Sequence, residues 1–268
     1  MVRRSLLAIG LLVMLAATAC KPNPVVATGG GGGGGGLLWQ ADYGRMAPGL
    51  SALGPWQAEQ EPAPDRIRIV DRPDHGRVMR VELRPGDITD TGGYRANRAE
   101  VYARHHTGSR SAPAHEWADP IGSTRWYGFD LYIPAGFVTD PTGLVWESLM
   151  QWKGAWGGQP AIALEVKQDR LQLAGASGRN DLGPLAKGRW ERLVIGVHFH
   201  PDQGWVEVAR DGVTVLPRTH RPTMQWRSPG VADPTYLKQG IYRDPRWTVT
   251  HVVLYGPLEI GTTKASVL

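Results

Sequence analysis

Three separated stretches carry side chains that could do chemistry. The most informative is Tyr236-Leu237-Lys238-Gln239-Gly240-Ile241-Tyr242-Arg243. Read as a strand, it sends alternate side chains to opposite faces. Tyr236, Lys238 and Tyr242 share one face, with Gly240 leaving a gap among them, while Leu237 and Ile241 take the other and can join a core. An unperturbed phenol titrates near ~10, and an adjacent ammonium lowers that value by favouring phenolate. A tyrosine beside a lysine is therefore a candidate proton-transfer unit. An ordinary amphipathic strand reads the same way, so the rest of the chain has to decide.

The second stretch is Asn97-Arg98-Ala99-Glu100-Val101-Tyr102-Ala103-Arg104. Ala99, Val101 and Ala103 fall on one small, apolar face; Arg98, Glu100, Tyr102 and Arg104 fall on the other. As a solvated outer face this needs no function. As a groove floor, Arg98 meets a substrate carboxylate and Glu100 orients it, with Tyr102 and Arg104 alongside. The third stretch is Met150-Gln151-Trp152-Lys153-Gly154, in which Gln151 and Lys153 share a face. A glutamine amide can donate to a carboxylate and a lysine can neutralise it. Alone this motif is weak, because both types are common on surfaces.

Competing chemistries find less support. His198 and His200 form a His-x-His pair, and His105 and His106 follow the arginine strand. Two imidazoles on one strand face could ligate a metal, but spacing identifies no third ligand, so these read as surface or groove-lining residues and no metal site is assigned. A jelly-roll glycosidase would carry clustered acids; no Glu-x-Asp-x-x-Glu run occurs, and Glu147 stands apart from other acids. No Gly-x-Ser-x-Gly elbow occurs either.

The elements that must position these residues are short runs with period two, from Leu37–Tyr43 through Arg98–Arg104, Val145–Trp152 and Tyr236–Arg243 to Thr248–Gly256. In Trp126–Ile133, Tyr127, Phe129, Leu131 and Ile133 alternate with Trp126, Gly128, Asp130 and Tyr132. In Arg189–His200, Leu193, Ile195, Val197 and Phe199 form the apolar face. Gln168-Asp169 and Asp211-Gly212 read as tight hairpin turns. Helical periodicity is scarce. The expected fold is all-β: a two-sheet antiparallel β-jelly roll, a concanavalin- or lectin-like sandwich. Eleven tryptophans could in part stack on sugars, though core packing claims most of them.

Together, Asn97-Arg98-Ala99-Glu100, Gln151-Trp152-Lys153-Gly154 and Tyr236 to Arg243 resemble, in order and approximate spacing, the β-jelly-roll polysaccharide lyases. The resemblance is nearest to the heparin lyase I-like group, with alginate and glucuronan lyases more distant. Trp126-Tyr127-Gly128-Phe129 and Gly188-Arg189-Trp190-Glu191-Arg192 resemble that group's framework strands, so the likeness spans Leu37 to Gly261. It implies β-elimination on an anionic, uronate-containing polysaccharide. Tyr242 would be the acid and a candidate base, Arg98 and Gln151 the carboxylate neutralisers, Lys238 a groove cation and Tyr236 a further substrate contact. Where the family often has histidine this chain has Lys153, a poor base at neutral pH unless its pKa is depressed. Lys153 then either helps neutralise the carboxylate, or the site is inactive and the domain is a lectin-like glycan-binding module.

The chain begins as an exported protein would. Arg3 and Arg4 precede an apolar run from Leu6 to Ala17, and residues 1–19 read as a signal peptide. Cys20, the only cysteine, follows at the cleavage position of a bacterial lipoprotein signal and is the expected lipidation site, anchoring the protein to the cell membrane; ordinary cleavage and secretion is the alternative. Residues 20–36, ending in unbroken glycines, form a tether that cannot bury a core. One domain is expected over 37–268. A single cysteine excludes an intrachain disulfide. The net charge of +5 falls by two with Arg3 and Arg4 removed, leaving a mildly basic domain suited to an anionic ligand. Export and the lack of lysine-rich runs argue against nucleic acid. A monomer is expected, with no cofactor; the sequence leaves a structural calcium open.

Overall fold

The computed structural model of the chain describes residues 36–46, 56–91, 94–103, 119–154 and 158–268, all within the compact unit Gly31–Leu268. The signal segment, Cys20, most of the glycine tether, Arg104, His105 and His106 lie outside the described residues. Strands form wherever apolar and polar residues alternate. The first are β1 (Leu37–Ala41), β2 (Trp56–Gln60), β3 (Ile67–Arg72), β4 (Gly76–Leu83), β5 (Thr89–Thr91) and β6 (Tyr94–Ala103). Next come β7 (Thr124–Tyr132), β8 (Glu147–Gly154), β9 (Ile162–Lys167), β10 (Arg170–Ala174), β11 (Asn180–Pro184) and β12 (Trp190–His198). The last are β13 (Trp205–Arg210), β14 (Val213–His220), β15 (Gln225–Ser228), β16 (Val231–Asp233), β17 (Thr235–Arg243) and β18 (His251–Gly261).

Two large antiparallel sheets result, the β-jelly roll expected, with β15 and β16 as a separate two-stranded ribbon. One runs β14-β13-β12-β7-β18-β4-β3, with β1 also on β18; the other runs β11-β10-β9-β8-β17-β6-β2, with β5 on β6. Strands distant in sequence are neighbours, so each sheet is assembled by crossovers. Between the sheets lie the faces read from alternation: Tyr127, Phe129, Leu131 and Ile133 from β7 and its end, Leu193, Ile195, Val197 and Phe199 from β12 and its end, Ala99 and Val101 from β6, and Leu237 and Ile241 from β17. Each large apolar side chain buried there contributes about 1.5–3 kcal/mol. The two expected hairpins are present. Gln168 and Asp169 take φ of 51° and 60°, and Asp211 and Gly212 take 48° and 80°, the left-handed pairs that such two-residue turns require.

Two strands run further than alternation suggested. β14 continues through Pro217, which an edge strand tolerates because its outer N–H has no ladder partner to lose. β18 passes through Gly256-Pro257 by way of a register shift between Tyr255 and Leu258.

The centre of the second sheet carries the irregularity that matters. On β8, Leu149 and Met150 are consecutive and both fully buried, so alternation breaks there. The break appears as register shifts against β9, between Ser148 and Met150, and against β17, between Gln239 and Tyr242. A bulge of this kind re-aims the side chains on either side of it. Tyr255 of β18 reaches across from the other sheet, its hydroxyl 2.9 Å from both Leu149 O and Gly240 O. Burial pushes its phenol well up, which keeps it a donor to that carbonyl pair. Gly240 has φ of +144°, and a Cβ there would lie 2.2 Å from Ala99 O. Only glycine fits.

Candidate functional site

A groove of about 820 Å³ opens on the face of the second sheet opposite the core. Strand register explains how three distant segments meet in it. Arg98 on β6 pairs with Tyr242 on β17, which pairs with Ser148 on β8, which pairs with Glu165 on β9. One row along, Lys238 pairs with Gln151, and beyond them Tyr236 pairs with Lys153. Arg98, Gln151, Lys153, Tyr236, Lys238 and Tyr242 all line the groove.

Beneath the groove floor sits Glu100, only 1% exposed. Its Oε2 accepts from Lys238 Nζ at 2.7 Å and lies 3.2 Å from Arg98 Nε, and its Oε1 accepts from Gln151 Nε2. One buried carboxylate thus organises three donors. An ion pair this dry holds only because several partners share the desolvation cost. The Arg98 guanidinium also stands 4.0 Å from the Tyr242 ring centroid, and Trp146 packs edge-on against the same ring at 4.6 Å. The phenol ring is therefore fixed between a cation and an indole.

Of the residues expected at the substrate along the groove floor, Glu100 and Tyr102 do not line the groove, and Glu100 keeps only the orienting role. Its contacts make it a positioning residue for Arg98, Gln151 and Lys238. Tyr102 is 7% exposed and packs edge-on against Tyr236, with centroids 6.2 Å apart. Lys153 donates from Nζ to Gly158 O at the groove rim. Arg104 lies outside the described residues.

The opposite wall holds groups that strand patterns did not single out. Glu165 is mostly buried, and desolvation raises its carboxyl above the ordinary range, with Arg179 and Lys167 pulling the other way. Arg179 Nη2 lies 3.7 Å from Glu165 Oε2. In the groove and its floor Arg98, Lys153, Lys238 and Arg179 outnumber Glu100 and Glu165, so the site carries excess positive charge fit for an anion.

Other candidates point away from the groove. Glu147 turns inward, its Oε1 2.9 Å from His251 Nδ1, with both residues 1% exposed. His198 and His200 belong to the first sheet's end: His198 Nδ1 is 3.0 Å from Thr124 Oγ1, and His200 Nδ1 accepts from Asp202 N and Gln203 N at 3.0 and 2.9 Å. Among the described residues no group of three or more His, Cys, Asp or Glu side chains could hold a metal ion.

Comparison with known proteins adds what geometry alone leaves open. The family profile described as polysaccharide lyase matches residues 50–258. The chain belongs to the polysaccharide lyase family. No curated protein sequence matches it. Among solved structures, an endo-β-1,4-glucuronan lyase from the fungus Trichoderma reesei aligns with a TM-score of 0.57 at 16% identity, covering 83% of this chain and 98% of that one. The alginate lyase Aly36B aligns with a TM-score of 0.53 at 10% identity, covering 82% and 95%. The catalytic domain of a glycoside hydrolase family 131 protein from Coprinopsis cinerea aligns equally well, with a TM-score of 0.57 at 13% identity over 86% and 96%. At these identities the structures speak for the fold, and the fold hosts both lyases and a hydrolase. The family match is what makes this protein a lyase.

Among the groove residues of this polysaccharide lyase that strand patterns did not single out are Trp146, Ser148, Glu165 and Arg179. Ser148 is hidden by the bulge, which places it on the groove face although it sits three residues from Gln151. Glu165 looks like a lone acid on a solvated strand face, and Arg179 like part of a Gly/Ser/Asn turn. A strand break opposite Gly240 is the signal that could have exposed Ser148.

Proposed function

We propose that this lyase cleaves a uronate-containing polysaccharide by β-elimination, in the manner of the heparin lyase I-like group, with Tyr242 as the proton-transfer residue. The observation that carries the reading is the gathering of Arg98, Gln151 and Lys238 around one buried carboxylate, directly beside the Tyr242 ring. Arg98 and the second amide N–H of Gln151 face the uronate carboxylate and stabilise the charge that spreads onto it as the C-5 proton leaves. The Tyr242 phenolate takes that proton. The C-5 electron pair forms the C-4–C-5 double bond, the C-4–O bond breaks, and Tyr242 returns the proton to the departing glycosidic oxygen. Lys153, donating to Gly158 O, acts as a rim cation for the carboxylate, so Tyr242 serves as both base and acid.

Residues 1–19 direct export on this reading, and Cys20 anchors the enzyme to the bacterial cell membrane through lipid, with residues 21–36 as tether; the catalytic domain over 37–268 works as a monomer. The test is a screen over glucuronan, alginate, heparin, heparan and chondroitin, following ultraviolet absorbance from the new double bond. Absorbance rising with at least one uronate polymer supports the reading. Chain cleavage without absorbance, or cleavage of neutral glycans only, contradicts it.

A further inference from the structure

The groove has a second end that the proton-transfer chemistry does not use. Glu165 lies two strand spacings from Tyr242 along the row through Ser148, roughly 10 Å, which is within a disaccharide's reach. Arg179 stands over Glu165, with their nearest atoms 3.7 Å apart and the arginine side chain 56% exposed. At that separation and exposure the guanidinium is only weakly held, so it can turn toward a second anion.

The backbone that presents Arg179 is held firmly. Arg221, 7% exposed, donates from Nε to Ser177 Oγ at 2.7 Å, from Nη1 to Asn180 Oδ1 at 2.7 Å and from Nη2 to Gly178 O at 3.0 Å. Ser177 Oγ in turn donates to Pro222 O at 2.9 Å. Gly175 starts the turn at φ of +146°, where a Cβ would lie 2.1 Å from Ala161 O. A loosely paired guanidinium on a clamped turn, aimed into a groove, is suited to bidentate capture of an incoming anion.

We infer that Arg179 forms a second anion subsite, leaving Glu165 to bind the carboxylate or sulfate ester of a neighbouring sugar along the same polysaccharide. This rests on the proposed uronate substrate and narrows it to chains carrying a second acidic group within a disaccharide of the cleaved bond. Glu165 tolerates the exchange. Burial already disfavours its charge, and Lys167 still acts on it when Arg179 turns to the ligand.

The experiment uses the full chain and defined oligosaccharides of two to six sugars, from glucuronan, alginate and heparin, measured by calorimetry and steady-state kinetics. The wild type should gain about 10-fold in affinity at the length that brings a second acid to Arg179. Arg179→Gln should lose that step and raise KM about 10-fold while kcat falls less than about 3-fold; Arg179→Lys should recover part of it. A step with the glucuronan and alginate series assigns carboxylate; a step confined to heparin oligosaccharides assigns sulfate. The inference is overturned if Arg179→Gln keeps the step, or if the wild type shows no step in any series. If the step is present and depends on Arg179 while no unsaturated product forms from any polymer, the elimination reading falls and the subsite stands.

Discussion

Removing the charge of Glu100 should cost this protein both stability and its site. Glu100→Gln keeps the shape and one acceptor oxygen, yet takes away the anion shared by Lys238, Arg98 and Gln151. The Glu100 and Lys238 side chains are 1% and 3% exposed, so water cannot take over that role without local opening. Breaking a buried pair by removing one partner costs about 3–5 kcal/mol. For a domain of this size each kcal/mol shifts Tm by about 2–4 °C, which gives a fall of about 6–20 °C. The assay is thermal unfolding followed by circular dichroism, with wild type and variant at the same pH and salt. Glu100→Gln/Lys238→Met replaces the pair with neutral groups of similar volume and should regain most of the lost stability while staying inactive. A Glu100→Gln melt within about 1 °C of wild type would refute the idea that this carboxylate organises the floor.

Three further outcomes follow from the same structure. Glu165→Gln should stabilise the fold at neutral and higher pH: the folded-state pKa is raised, so the favourable contribution is complete below the unfolded value and is lost as pH rises through the folded one; the Tm gain should therefore shrink toward zero near pH 4, and a gain that grows on acidification contradicts it. Gly240→Ala, with a Cβ 2.2 Å from Ala99 O, should destabilise by at least about 1–3 kcal/mol in urea unfolding and abolish activity, because Lys238 and Tyr242 flank it. Lys153→His should retain lyase activity with a pH optimum moved down toward the range where imidazole titrates; complete inactivity would show that the ammonium at this position is required.

The legible part of the fold was local. Alternation placed Ala99, Val101, Leu237 and Ile241 in the core because side-chain direction in a strand depends only on parity. It placed Arg98, Lys238 and Tyr242 on the other face for the same reason. That these faces belong to adjacent strands of one sheet depends on pairing between segments far apart in the chain, which no local pattern encodes; the family resemblance supplied it. Ser148 was out of reach because the break at Leu149-Met150 inverts parity within a single strand. Glu100 was legible as the residue that orients Arg98, but its depth depends on Lys238 and Gln151 closing over it. Arg179 enters the groove through a turn held by Arg221, a contact spanning more than forty positions.

The proposed chemistry turns on Tyr242. Tyr242→Phe keeps the ring, its Arg98 contact at 4.0 Å and its Trp146 contact at 4.6 Å, and removes only the transferable proton. The deciding measurement is the rate of ultraviolet absorbance increase for this variant on whichever uronate polymer the wild type cleaves, with melting temperature and glycan affinity checked in parallel. The prediction is a fall of about 10²–10⁴-fold in kcat with fold and binding preserved. A Tyr242→Phe enzyme that forms the unsaturated product at the wild-type rate would contradict it.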